Sequence, residues 1–292
     1  MNNLLVLDHA NIMHKAIFSY ISQIKKEMLD IAYENDWVTE PDEKGQVHIL
    51  EEHWQECYDL VMEKIRKREV VIMFPIYTYF KMIISYFKRI GVTLDDKVII
   101  GIDFSSWRKK IDPLYKKQRK AFRESFMPKW WWDKTYKEFN DFIPKLEISL
   151  NWNFVKVYDC EFDDIASVAI RQLNDYNNKI IISADEDLQQ LCIVPNTKIF
   201  SPYSKKYKIV NNPEKILLKK IKGDKSDNLL ENPQTIQEYN IRKKIVDLLH
   251  LPEEIERPIK DSLLDLPVKQ LYLEKVPFPS CRKAIRELYN LK

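Results

Sequence analysis

The feature that most constrains this chain is the spacing of its acids between residues 157 and 191. Glu161-Phe162-Asp163-Asp164 follows a short apolar run, residues 154–158, and Ser183-Ala184-Asp185-Glu186-Asp187 follows another, residues 179–182. An amphipathic segment, residues 165–173, lies between them, and residues 188–191 start a further helix. The order strand–acid–helix–strand–acid–helix puts carboxylates at the carboxyl ends of parallel strands, where open α/β sheets keep their sites. So many like charges at one rim repel unless something cationic sits among them. Mg²⁺, a hard ion that takes oxygen ligands, suits such a set.

The signature recurs on either side. Leu4-Leu5-Val6-Leu7 reads as a buried parallel strand ending in Asp8, with a helix expected over residues 12–33. Asp8 alone would also serve as a helix N-cap. Residues 97–102 form a second expected strand, which ends in Asp103. Later, Gly223-Asp224-Lys225-Ser226-Asp227-Asn228 sets Asp224 and Asp227 three apart at an expected helix start, on one face. Helices are expected over residues 47–68, over 75–90 with Gly91 as the stop, and over 241–250; residues 35–45 read as a loop. Residues 198–200 and 207–210 suggest a hairpin, and residues 251–292 read as helical but broken by five prolines. The most apolar stretch, residues 70–87, contains Pro75 and Lys81 and reads as buried rather than membrane-spanning.

Charge is informative through its distribution. The 47 basic and 44 acidic residues nearly cancel, yet residues 108–123 hold eight bases and one acid, Asp112. The bases are Arg108, Lys109, Lys110, Lys116, Lys117, Arg119, Lys120 and Arg123, with Trp107, Tyr115 and Phe122 interleaved. Cations among aromatics suit phosphate contact with base stacking, and the run begins just after Asp103. A solvated basic helix is the alternative. Next come Trp130-Trp131-Trp132, which cannot all point inward on one helix.

Other chemistries are poorly served. Four glycines leave no Gly-rich phosphate loop, and the four scattered cysteines show no C-x-x-C spacing, so structural zinc and disulfides are not expected. A strand almost at residue 1 leaves no room for a signal peptide, and a reducing interior is expected. The five histidines fit no Ser/His/Asp arrangement. Hydrolysis would then fall to water activated by metal, with two divalent ions about 3.5–4 Å apart spanning an in-line phosphoryl displacement.

The order Asp8, Asp103 before Tyr115-Lys116-x-x-Arg119, Glu161-x-Asp163-Asp164, Asp185-x-Asp187 and Gly223-Asp224-x-x-Asp227-Asn228 resembles the flap endonuclease/5′-nuclease family over roughly residues 3–228. The resemblance implies an α/β fold with a central, mostly parallel sheet flanked by helices (a PIN-like core), a helical arch over about residues 108–150, and a helical C-terminal lobe. Residues 1–210 would be the nuclease core and residues 211–292 a duplex-binding region, with Arg242, Lys243 and Lys244 on the duplex. It implies an inner metal held by Asp8, Asp103, Glu161, Asp163 and Asp185, and an outer one held by Asp187, Asp224 and Asp227, with Asp164 in support. Both ions would be Mg²⁺, with Mn²⁺ as a substitute. Lys116 and Arg119 match the pair that grips the scissile phosphate, and Tyr115 the aromatic that stacks on a base; Asp163 and Asp185 match catalytic positions. The implied enzyme is a monomeric, phage-encoded 5′→3′ exonuclease or flap endonuclease in the host cytoplasm. It would act on RNA–DNA hybrid, duplex or flap 5′ ends, beside a replication single-strand-binding protein and without a membrane. One departure stands out: Leu229-Leu230-Glu231-Asn232-Pro233 lacks the glycine of the helix–hairpin–helix that binds a monovalent ion in many members. A PIN-like endoribonuclease and a non-catalytic nucleic-acid-binding module are the competing expectations.

Overall fold

The computed structural model describes residues 2–67, 73–127, 129–224, 227–229 and 232–291, without the side chains of residues 65–67 and 73. Arg68 and Val70, and within the last acidic motif and its continuation Lys225, Ser226, Leu230 and Glu231, lie outside the described residues.

Strands β1 (Asn3–Asp8), β2 (Lys97–Gly101), β3 (Asn153–Val155), β4 (Asn178–Ile182), β5 (Thr197–Ser201) and β6 (Lys206–Tyr207) form one sheet in the order β3-β2-β1-β4-β5-β6. All pairs are parallel except β5–β6. Successive residues of β1 face opposite ways. Leu5 and Leu7 accordingly join one core, with Val98, Ile100, Ile180 and Ile182. Leu4 and Val6 join the other, with Ile99, Ile181 and Ile199. An unbroken apolar run is thus needed in β1, because helices cover both faces. Each such aliphatic side chain contributes roughly 1.5–3 kcal/mol on burial.

On the first face lie α1 (His9–Glu34), α2 (Trp54–Lys67), α3 (Met73–Ile90) and the C-terminal α11 (Pro279–Leu288), whose Cys281 and Ile285 are fully buried. On the second lie α7 (Phe162–Gln172) and α10 (Glu253–Leu264). The β2–β3 crossover carries α4 (Arg108–Ile111), α5 (Gln118–Glu124) and α6 (Lys129–Glu147), while α8 (Pro213–Lys222) and α9 (Ile236–Val246) come between β6 and α10. Among the described residues no helix is long and apolar enough to cross a membrane.

Several boundaries differ from the sequence reading. Helix α1 starts at His9, not near residue 12, because Asp8 caps it at once. Residues 47–50 are not helical: Ile49 bridges Val38. Helix α9 starts earlier than expected, capped by Thr235, and ends at Val246, where Asp247 turns to accept from the backbone of Leu249 and His250. Asp227 lies in a 3-10 turn. Asp224, just after α8, exchanges backbone bonds of 2.7 and 2.8 Å with Leu229. Of the three tryptophans, Trp131 and Trp132 are buried and Trp130 is exposed.

Candidate active site

Parallel strands deliver their carboxyl ends to one edge, and four of them deliver acids or the helices that carry acids. Asp8, Asp103, Glu161, Asp163 and Asp185 line a single cavity of about 470 Å³. Asp8 does two jobs. One oxygen caps α1 through Asn11 N at 2.9 Å, and the other accepts from Ser183 Oγ at 2.8 Å. Burial, then the Asp103 charge, pushes the Asp8 carboxyl up to about 7. Asp103 faces the open cavity but is crowded by protein, which raises its carboxyl although it accepts from Phe162 N at 2.6 Å. That bond depends on Gly101, where a Cβ would stand 2.6 Å from the Phe162 ring. Asp163 is driven well above the ordinary carboxylate range by burial and by the Asp185 charge.

A second acidic group adjoins the first. Carboxylate oxygens of Asp187, Asp224 and Asp227 lie within 4.8 Å of one another. Burial, then the Asp185 charge, pushes Asp187 up to about 7. Lys220 Nζ stands 2.6 Å from both Asp187 and Asp224. Burial works against its charge, but those two carboxylates more than reverse the effect and hold the ammonium protonated.

The arch sends cations between the two groups. Lys116 adopts φ +56°, an unusual left-handed conformation for a long side chain. Its Nζ lies 2.8 Å from Glu161 Oε1 and 3.9 Å from Asp227. Arg119 Nη2 is 3.0 Å from Asp227 Oδ1. Burial pushes Glu161 up, but Lys116 and then Arg108 outweigh it and hold the carboxyl at about 2. His9 and His14, lowered to about 3 and about 4 by burial, are neutral near pH 7.

Two residues expected at the nucleic acid are not on the surface. Arg108 is 2% exposed; it forks onto Asp164 at 2.8 and 3.0 Å, reaches Glu161 at 3.2 Å and donates to Ile245 O at 2.7 Å. Its guanidinium serves the base of the arch, because a buried charge must be matched. Tyr115 is 2% exposed and gives its hydroxyl to Glu161 at 3.1 Å, so its ring has no face open to a base. Asp164 is likewise occupied. It is fully buried, completes a capping box on α7 and takes Trp107 Nε1 at 3.2 Å, so it stands apart from the acids that line the cavity. Lys109, Lys117 and Lys120 are exposed, Arg123 is half-buried, and Lys110 is paired with Asp159. On α9, Lys243 and Lys244 are exposed and Arg242 is half-buried.

The structure adds cavity residues that the sequence reading missed. Asn11, His14, Lys15 and Tyr203 also line the acidic cavity. Lys15 donates to Pro202 O at 2.6 Å and lies 4.8 Å from the Tyr203 ring centre. A signal existed, since Asp8, Asn11 and Lys15 repeat at helical spacing, as do Lys220 and Asp224.

The donor set suits a hard divalent cation: it is all oxygen, and crowding at one rim raises the carboxyls of Asp8, Asp103, Asp163 and Asp187. A family profile described as 5′-3′ exonuclease, N-terminal resolvase-like domain, matches residues 54–221, more than half of the chain. The ribonuclease H of enterobacteria phage T4 is 32% identical over 149 residues, 49% of this chain and 47% of that protein, so the chain spans about half the length of this relative. Among solved structures, the chain is similar to a T5 protein co-crystallised with metal ions (17% identity, 99% of each chain, TM-score 0.49). It is also similar to the bacteriophage T5 flap endonuclease in a pseudo-enzyme–product complex with DNA and metal ions (18% identity, 98% of this chain and 88% of that one, TM-score 0.42).

Proposed function

The chain belongs to the 5′-3′ exonuclease family, and from that premise we propose that it is a Mg²⁺-dependent 5′ nuclease. Its substrates would be the 5′ ends of RNA–DNA hybrid, duplex or flap nucleic acid, including RNA primers in phage DNA replication within the host cytoplasm. The observation that carries this reading is the convergence of two adjoining acidic groups with Lys116 and Arg119 set between them. Asp8, Asp103, Glu161, Asp163 and Asp185 would hold an inner ion, and Asp187, Asp224 and Asp227 an outer one. When bound, such ions supply Lewis acidity toward a phosphoryl oxygen and a water nucleophile at neutral pH.

The chain's own groups do the rest. A phosphate entering the cavity competes with Glu161 and Asp227 for Lys116 and Arg119, which then neutralise charge developing on its oxygens. Exposed Lys109, Lys117 and Lys120, with Arg123, hold the approaching backbone. Residues 1–210 are assigned to cleavage, with the arch over about residues 108–150. In residues 211–292, Lys243, Lys244 and Arg242 are assigned to duplex phosphates. The PIN-like endoribonuclease alternative accounts for neither the arch cations nor the second acidic group.

The direct test is a 5′-labelled RNA·DNA hybrid and a flap duplex, each incubated with Mg²⁺ and with EDTA. Metal-dependent release of short 5′ products is expected, and its absence refutes the reading. Asp163→Asn and Asp185→Asn should bind these substrates without cleaving them; full activity in both would remove the catalytic assignment. Cleavage of single-stranded RNA in preference to 5′-ended duplex would favour the endoribonuclease.

A further inference from the structure

A second cavity, of about 510 Å³, lies beside the acidic one between the end of β2 and helix α6. The two share Ala10, His14, Asp103 and Arg123, so a path runs past Asp103 under the Arg123 side of the arch. Beside that path two large rings stand in solvent: Phe104 is 49% exposed and Tyr158 73%. Their centres are 5.2 Å apart, inclined at 47°, and Lys156 Nζ lies 4.9 Å from the Phe104 centre.

The backbone that carries these rings is held in place. Phe104 N donates to Cys160 O at 3.1 Å and Trp107 N to Asp159 O at 2.9 Å, which ties the loop after β2 to the loop before α7. Asp159, at φ +59°, accepts from both Ser105 and Lys110. A pinned pair of exposed aromatics beside an exposed lysine is chemistry for an unpaired nucleotide: a base face on the rings and its phosphate on the ammonium. A base inside a duplex is already stacked on both faces and has none to offer.

Resting on the nuclease reading above, we propose that Phe104, Tyr158 and Lys156 form a stacking site for a single-stranded nucleotide of the substrate, beyond the scissile phosphate along the path past Asp103. The site selects substrates with an unpaired 5′ segment long enough to reach it.

The test uses the full chain in EDTA with a duplex carrying a 5′ overhang, 2-aminopurine placed at one overhang position at a time, and a remote dye reporting binding by anisotropy. Quenching confined to one or two positions is expected. Phe104→Ala with Tyr158→Ala should abolish it and weaken overhang binding by about tenfold. Both rings are exposed, so truncation opens no core cavity, and Phe104→Trp should keep the quench. Lys156→Ala should keep the quench position and reduce the slope of log affinity against log salt by about 1. Bound substrate with no position-specific quench, or a quench that survives the double substitution, overturns the stacking site alone. No binding of the overhang duplex by the unmodified protein overturns the nuclease reading and the site with it.

Discussion

At Lys220 an ammonium stands between Asp187 and Asp224, 2.6 Å from each, where the proposed outer ion would have its ligands. Lysine and ion compete for those two carboxylates, so the side chain works as an internal counter-ion whose charge opposes that of the ion. Lys220→Met should therefore tighten Mg²⁺ binding at this group by about tenfold or more, the order expected for one adjacent charge at a partly screened site. Titration calorimetry on wild type and variant checks this, and equal affinities would mean no competition. Lys116 and Arg119 make a different prediction. Their charges face carboxylates now and a phosphate during reaction, so Lys116→Ala with Arg119→Ala should slow the chemical step by about 10²–10³-fold. Single-turnover rates at saturating enzyme separate this from weaker binding.

Helices α4, α7 and α9 meet at one buried guanidinium. Arg108 joins Asp164 and Glu161 at the start of α7 to the Ile245 carbonyl of α9, and so anchors the arch at the edge of the site. Around it Tyr115, Ile221, Leu229, Ile245 and Val246 form a small apolar cluster. Arg108→Met would leave Asp164 buried without its charge partner, which costs about 3–5 kcal/mol. Urea unfolding should show that loss, whereas a change under about 1 kcal/mol would mean that the pair is not matched as drawn. Gly101 acts at the same scale, since a bare Cα there lets Phe162 close on the sheet and present its backbone N–H to Asp103.

For the molecule as a whole, crowding acids at one rim makes stability depend on pH and on metal. Asp8 and Asp187 rise from an ordinary 3.8 to about 7, so between those values the folded chain binds more protons than the unfolded one. Stability of the metal-free protein should therefore fall as pH rises from about 4 to about 7. Glu161, pulled from 4.5 to about 2, works in the opposite sense: its contribution is present above 4.5 and is lost as pH falls toward 2. Calorimetric Tm in EDTA should peak near pH 3.5–4, within about half a pH unit, and saturating Mg²⁺ should lift Tm most near neutrality, where the acids are ionised. A Tm in EDTA that climbs steadily to pH 7 would contradict the placement of Asp8 and Asp187. Much of this design was legible in the chain. Apolar runs of strand length, each ending in an acid, are local patterns; backbone alternation alone sends Leu4 and Val6 one way and Leu5 and Leu7 the other. Strand-end acids in a parallel sheet must share an edge, so their convergence followed from order and spacing. What each charge is matched with was decided only in three dimensions. Arg108 and Tyr115 look in sequence like their exposed neighbours Lys109 and Lys117, but partners 46 to 137 positions away, on α7 and α9, bury them. Periodicity along a chain specifies an element and its inward face; burial and ion pairing depend on distances between elements, and only the folded packing sets those.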